Sequence, residues 1–158
     1  MSGKPHERLE AWKSAMELVE EIYRVTAVFP AHEQYGLVSQ MRRAAVSIPS
    51  NVAEGAGREG NREFSRFLSI ARGSLSELDT QHQIAIRLGY VKEALNKSFD
   101  KLRTNGNLLI PFVVSLSNHE RNQLVQRILK TGTEQADILL ERVGKLLSGL
   151  MRKLKETE

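Results

Sequence analysis

The stretch RRAAVSIPSNVAEGAGREGNREFSRFLSIAR, residues 42–72, contains Arg42, Arg43, Arg58, Arg62, Arg66 and Arg72, the only basic residues between Gly36 and Gly73. Guanidinium groups are always charged and present a planar fork of donors that matches phosphate. If this chain has a binding chemistry, these arginines are its first candidates. Arg58, Arg62 and Arg66 recur every four residues and share one face if a helix starts by Arg58. The competing reading is a solvated face in which Glu59 and Glu63 pair with the arginines at helical spacing. Aromatic residues are too few, and too apolar in position, to form a stacking platform for single strands.

The same stretch spells G-x-G-x-x-G with Gly55, Gly57 and Gly60, and Glu77 and Asp79 follow at the distance of a ribose-binding acid. That fingerprint works only where a strand feeds a tight turn whose helix N-terminus faces a pyrophosphate. Here the preceding residues have helical spacing, so the glycines are expected to end one helix and open a sharp reversal into the next. The histidines are scattered without metal-ligand spacing, and His82, near an apolar stripe, is expected to be a satisfied interior residue. There is no cysteine, and no serine stands in a nucleophile motif. Catalytic, cofactor and metal sites are therefore all expected to be absent.

The elements that must position the arginines read as helices. Residues 7–29 carry two adjoining apolar stripes: Leu9, Trp12, Met16, Val19, Tyr23, Ala27, and beside them Ala11, Ala15, Leu18, Ile22, Val25, Phe29. Either this helix sits deep in a bundle or its second stripe meets another subunit. A second helix is expected over about 34–54, with Leu37, Met41, Ala44, Ala45, Ile48 and Val52 inside. Pro49 either kinks it or marks a restart near Ser47. A third runs over about 61–88, with Asn61 as N-cap, Gly89 as the stop, and Phe64, Phe67, Leu68, Ala71, Leu75, Leu78 and Ala85 inside. A fourth covers about 120–155, lined by Ile128, Ala136, Leu139, Val143, Leu147, Leu150 and Leu154. Its C-terminal stretch carries Arg142, Lys145, Arg152, Lys153 and Lys155 with no acid among them. At 158 residues and a net charge of +4, the chain is expected to fold as one domain over 1–158. With no apolar leader and no bilayer-length apolar run, it is expected to be cytoplasmic, with no membrane partner.

Between the third and fourth helices the pattern fails. Residues 96–122 include the turn signal Asn105-Gly106 and the apolar run LLIPFVVSL, which reads as an irregular loop or a hairpin. DNA encoding FDKLRTNG has a reverse complement that, with about one base changed, encodes PFVVSLS. An in-frame insertion of a palindromic repeat element would leave this mark, and the gene would then carry the two arms as an inverted repeat.

The motifs YGLVSQMRRAAVSIPSNVAEGAGR and FSRFLSIARGSLSEL, in that order and followed by LGY, resemble those of a bacterial family encoded in intervening sequences of some 23S ribosomal RNA genes and once labelled ribosomal. The accessory variability protein of diversity-generating retroelements is similar to that family. The resemblance is close over about residues 8–95 and looser over the final helix. It implies an all-α, antiparallel up-down four-helix bundle without enzymatic activity that assembles as a homopentamer. It further implies binding of RNA or DNA through basic surface and, in the retroelement branch, binding of a reverse transcriptase. A protein-interaction scaffold recruiting such a partner, with the arginines structural, is the alternative. The arginines carried over from the family motif are Arg42, Arg43 and Arg58. Arg62, Arg66 and Arg72 extend that set.

Overall fold

The computed structural model describes residues 3–90 and 118–156, the side chains of 118–122 and 124–133 excepted. Among the described residues four helices carry the fold: α1 (Glu10–Thr26), α2 (Leu37–Ala56), α3 (Asn61–Arg87) and α4 (Asn118–Glu156). A short 3-10 turn, Pro5–Arg8, leads into α1, and another, Ala31–Glu33, precedes α2. The expectation of an all-α four-helix bundle holds. The expected insertion at 96–122 lies outside the described residues as far as 117. Its last five positions are a correction, since α4 already begins at Asn118.

Neighbours in sequence are neighbours in space: α1 packs on α2, α2 on α3, and α4 closes the ring against α3 and α1. Every pair runs antiparallel. Along α2 and α3, Gly55 meets Phe64 and Phe67, the Ser47 and Ser74 hydroxyls hydrogen-bond at 2.8 Å, and Arg43 reaches toward Glu77. Between α3 and α4, Leu75 touches Gly144 and His82 touches Asp137, and between α1 and α4 Arg142 lies 3.5 Å from Glu17. The shared core includes Leu18 and Ile22 from α1, Met41 and Ile48 from α2, Leu68 and Leu78 from α3, and Leu147 from α4, all fully buried. Each such side chain contributes roughly 1.5–3 kcal/mol by leaving water.

The two stripes of α1 take different roles. Ala11, Ala15, Leu18, Ile22, Val25 and Phe29 are buried within the chain itself, so this second stripe is not free to meet another subunit. Leu9, Trp12 and Val19 are half-buried, and Met16 and Tyr23 are exposed. The buried face of α1 combines the small Ala11, Ser14 and Ala15 with the larger Leu18, Ile22 and Val25.

α2 is one continuous helix with Pro49 buried inside it, which sets aside the restart near Ser47. Proline deprives the Ala45 carbonyl of its usual partner. The next two carbonyls each accept an extra side-chain bond, Val46 from Ser50 Oγ at 2.8 Å and Ser47 from Asn51 Nδ2 at 2.8 Å. The start of α2 is capped from outside by Glu33, whose carboxylate accepts from the Leu37 amide at 2.9 Å and from the Tyr90 hydroxyl at 2.8 Å. The amide bond, then the tyrosine, hold that carboxyl below its ordinary range.

Candidate nucleic-acid interface

The three glycines of the G-x-G-x-x-G stretch have three separate structural roles. Gly55 is buried inside α2, where an added Cβ would stand 2.7 Å from Phe64 Cδ2 and 2.8 Å from Phe67 Cβ, so α2 and α3 cross at this point. Gly57 caps α2, its amide donating to the carbonyls of Ala53 and Glu54. Gly60, at φ +92°, is the N-cap of α3, which displaces Asn61 to the first helical position. A left-handed residue here suits glycine alone at no steric cost.

That left-handed residue also decides the fate of the arginine series. It separates Arg58 from α3, so Arg58 does not continue the face of Arg62 and Arg66. Instead its guanidinium donates to Glu54 Oε1 at 2.6 Å and lies 5.4 Å from the Phe67 ring centre. Arg62 and Arg66, four residues apart, do share the outer face of α3. Arg66 is loosely paired with Glu63 at 3.8 Å, whereas Arg62 is exposed and has no polar side-chain partner among the described residues. Arg72 is exposed and equally unpartnered among the described residues, but at about 100° per residue it stands roughly 120° round the helix from Arg66.

Arg42 and Arg43 lie elsewhere. Arg42 is half-buried against α1: its Nε donates to Thr26 Oγ1 at 2.8 Å and its guanidinium sits 4.7 Å above the Tyr23 ring centre. Thr26 is itself buried, and its hydroxyl donates a hydrogen bond to the Ile22 carbonyl at 2.7 Å. A hydrogen bond and a cation–π contact of this kind contribute about 1–2 kcal/mol together, so Arg42 ties α2 to α1. Arg43 faces the other way, donating to Gln40 Oε1 at 2.6 Å and lying 3.9 Å from Glu77 of α3. The six arginines are therefore not one surface. Arg58, Arg62 and Arg66 gather at the α2–α3 turn, Arg72 flanks them, and Arg42 and Arg43 stand about four helical turns away along α2.

The antiparallel topology adds basic residues that no local pattern joined to this group. One end of the bundle collects the start of α1, the α2–α3 turn and the close of α4. Arg8, Lys145 and Lys153 line one cleft there, and Arg152 a second beside it. The opposite half holds Arg24, Arg42, Arg43 and Arg87, outnumbered there by Glu20, Glu21, Glu33, Glu77, Asp79 and Asp137. Positive charge is thus concentrated at one end.

His82 sits in the acidic half and departs from expectation. It is fully buried, yet neither ring nitrogen has a well-aligned hydrogen bond; Nε2 lies 3.3 Å from Asp137 Oδ1, at ion-pair distance but off the N–H direction. Burial pushes its pKa below the usual histidine value, opposed by the carboxylates of Asp137, Asp79 and Glu21. The unfolded chain therefore takes up a proton near pH 6.5 that the fold resists, and stability present above that pH is lost as pH falls below it. Replacing His82 by leucine is expected to raise stability by about 1 kcal/mol at neutral pH, because a buried, poorly satisfied polar group is removed. The gain is expected to grow toward about pH 5. Urea titrations of both proteins at the two pH values check this. An equal acid-induced loss in His82→Leu contradicts it. Among the described residues, no three histidine, aspartate or glutamate side chains converge as a metal site, and no helix is long and apolar enough to cross a membrane.

Four antiparallel helices around a common core, with cations gathered at one end, define an all-α bundle. The chain matches the family described as 23S rRNA-intervening sequence protein over residues 7–110 and belongs to that family. No curated protein matches it. The family match extends past residue 95, where the motif resemblance ceases to be close, and stops before α4.

Proposed function

We propose that this chain is a cytoplasmic, non-enzymatic, homo-oligomeric protein that binds the backbone of RNA or DNA through its arginine-rich surface. The observation that carries the reading is the outer face of α3, where Arg62 and Arg72 are exposed without an acidic partner among the described residues and Arg66 is only loosely held. Unpartnered guanidinium groups lose no intramolecular ion pair on meeting phosphate, and repetition of the site around a closed ring, such as a homopentamer, would multiply its affinity. The half-exposed stripe of Trp12, Met16 and Tyr23 on α1 offers the apolar area that self-association requires.

The same stripe supports the second reading, a scaffold that recruits a protein such as a reverse transcriptase. Arg42, bound to Thr26 and Tyr23, fits the structural role this reading gives the arginines. Fluorescence anisotropy with a labelled RNA of about 20 nucleotides, and with a DNA duplex of similar length, separates the two. At about 100 mM salt the triple variant Arg62→Ala/Arg66→Ala/Arg72→Ala is expected to bind at least about tenfold more weakly than wild type, with helicity and oligomeric state unchanged. A wild type that binds neither probe even at about 50 mM salt contradicts the nucleic-acid reading and leaves the scaffold.

A further inference from the structure

Arg8, Lys145 and Lys153 surround a cleft of about 350 Å³ between the start of α1 and the last turns of α4. Its floor is apolar, formed by Leu9, Ala11, Leu146 and Leu150. Among the described residues one acid, Glu10, lines it, and the Lys13 ammonium is hydrogen-bonded to Glu10 at 2.7 Å. That bond, with the charge of Lys13, holds the Glu10 carboxyl below its ordinary range. Lys145 is paired with Glu141 across one helical turn, but an ammonium has three donors and retains others for a second acceptor. Among the described residues that line the cleft, three are cations (Arg8, Lys145, Lys153) and one is a carboxylate (Glu10). Arg8 is exposed and has no polar side-chain partner among the described residues. Lys145 and Gly149 also border the neighbouring groove along α4, which ends at Arg152.

We infer that this α1–α4 cleft is a second phosphate subsite, which grips the sugar–phosphate backbone of a nucleic acid whose other contact is the arginine face of α3. The inference rests on the nucleic-acid reading above and extends it to residues outside the arginine motif. Three features carry it. The cleft and the start of α3 lie at the same end of the bundle, as the Leu75–Gly144 contact and the antiparallel register require. The cations ring an apolar floor, so a sugar or base edge can lie on the floor while phosphate oxygens meet the rim. The groups on the rim are a guanidinium and ammoniums on flexible stems, the donors that recognise phosphate by charge rather than by sequence.

The test compares binding of the same labelled RNA of about 20 nucleotides to three full-length proteins, each over about 50 to 200 mM salt. Arg8→Ala/Lys153→Ala removes two cations from the cleft. Arg24→Ala/Arg87→Ala removes the same charge from the opposite end. The cleft variant is expected to bind at least about fivefold more weakly and to flatten the log–log salt slope by roughly 1.5, two phosphate contacts at about 0.7–0.9 each. The control is expected to stay within about twofold of wild type. All four substituted side chains are exposed, so far-UV circular dichroism should show three equally helical proteins. Unchanged binding by the cleft variant, or equal weakening of both variants, overturns the subsite while leaving the α3 reading intact. Failure of the wild type to bind overturns both.

Discussion

Replacing Gly55 by leucine is expected to destabilise the protein by about 3 kcal/mol or more, read as a fall in the urea midpoint with an unchanged slope. The cause is the α2–α3 crossing, where even a single added Cβ would stand 2.7 Å from Phe64 Cδ2 and 2.8 Å from Phe67 Cβ. The Phe64 ring can swing aside, but Phe67 Cβ is fixed to the α3 backbone. Alanine at this position would gain up to about 1 kcal/mol of helix propensity and still be expected to cost about 1–2 kcal/mol net. Combining Gly55→Leu with Phe64→Ala is expected to recover only part of the loss. A Gly55→Ala protein as stable as wild type would mean that the two helices approach less closely than the contacts require.

Leu147→Ala carries the second large effect and tests whether α4 belongs to the bundle, which the family match does not reach. Leu147 is fully buried among core residues of the other helices. Truncating a leucine in such a site costs about 3–5 kcal/mol, the transfer term plus the cavity left behind. A loss below about 1 kcal/mol would show that α4 is not packed into the core. The same measurement on Leu154→Ala, whose side chain is only partly buried, should give a distinctly smaller value.

Much of the bundle was legible because α2, α3 and α4 each repeat apolar residues on one face, and nearly all of those residues lie inside or against the core, apart from Ile128, whose side chain lies outside the described residues. The choice between the stripes of α1 was not legible, since both are apolar. The inner one is the stripe whose side chains pack against the neighbouring helices, and that fit exists only in the assembled bundle. The candidate site was legible as a list of arginines but not as a surface. Whether Arg58 continues α3 depends on the φ of Gly60, and a glycine in the sequence permits that angle without requiring it. Arg42 was indistinguishable from Arg43 until the helix was rotated against α1, which turned one toward Tyr23 and Thr26 and the other toward Glu77. The placing of Arg8, Arg152 and Lys153 at the same end of the bundle as the α2–α3 turn follows from alternating helix direction, so an up-down topology already implies it. His82 meets Asp137 across a separation that periodicity does not register.

On the proposed function, the basic end of this bundle holds nucleic-acid backbone by charge. The most direct measurement is the salt dependence of RNA binding by the wild-type protein. Engagement of the α3 arginines and the α1–α4 cleft together predicts a linear fall of log K with log salt, with a slope of about −3 or steeper, from four or more phosphate contacts. A slope near zero, or no binding at the lowest salt, would show that the basic end does not hold nucleic-acid backbone by charge.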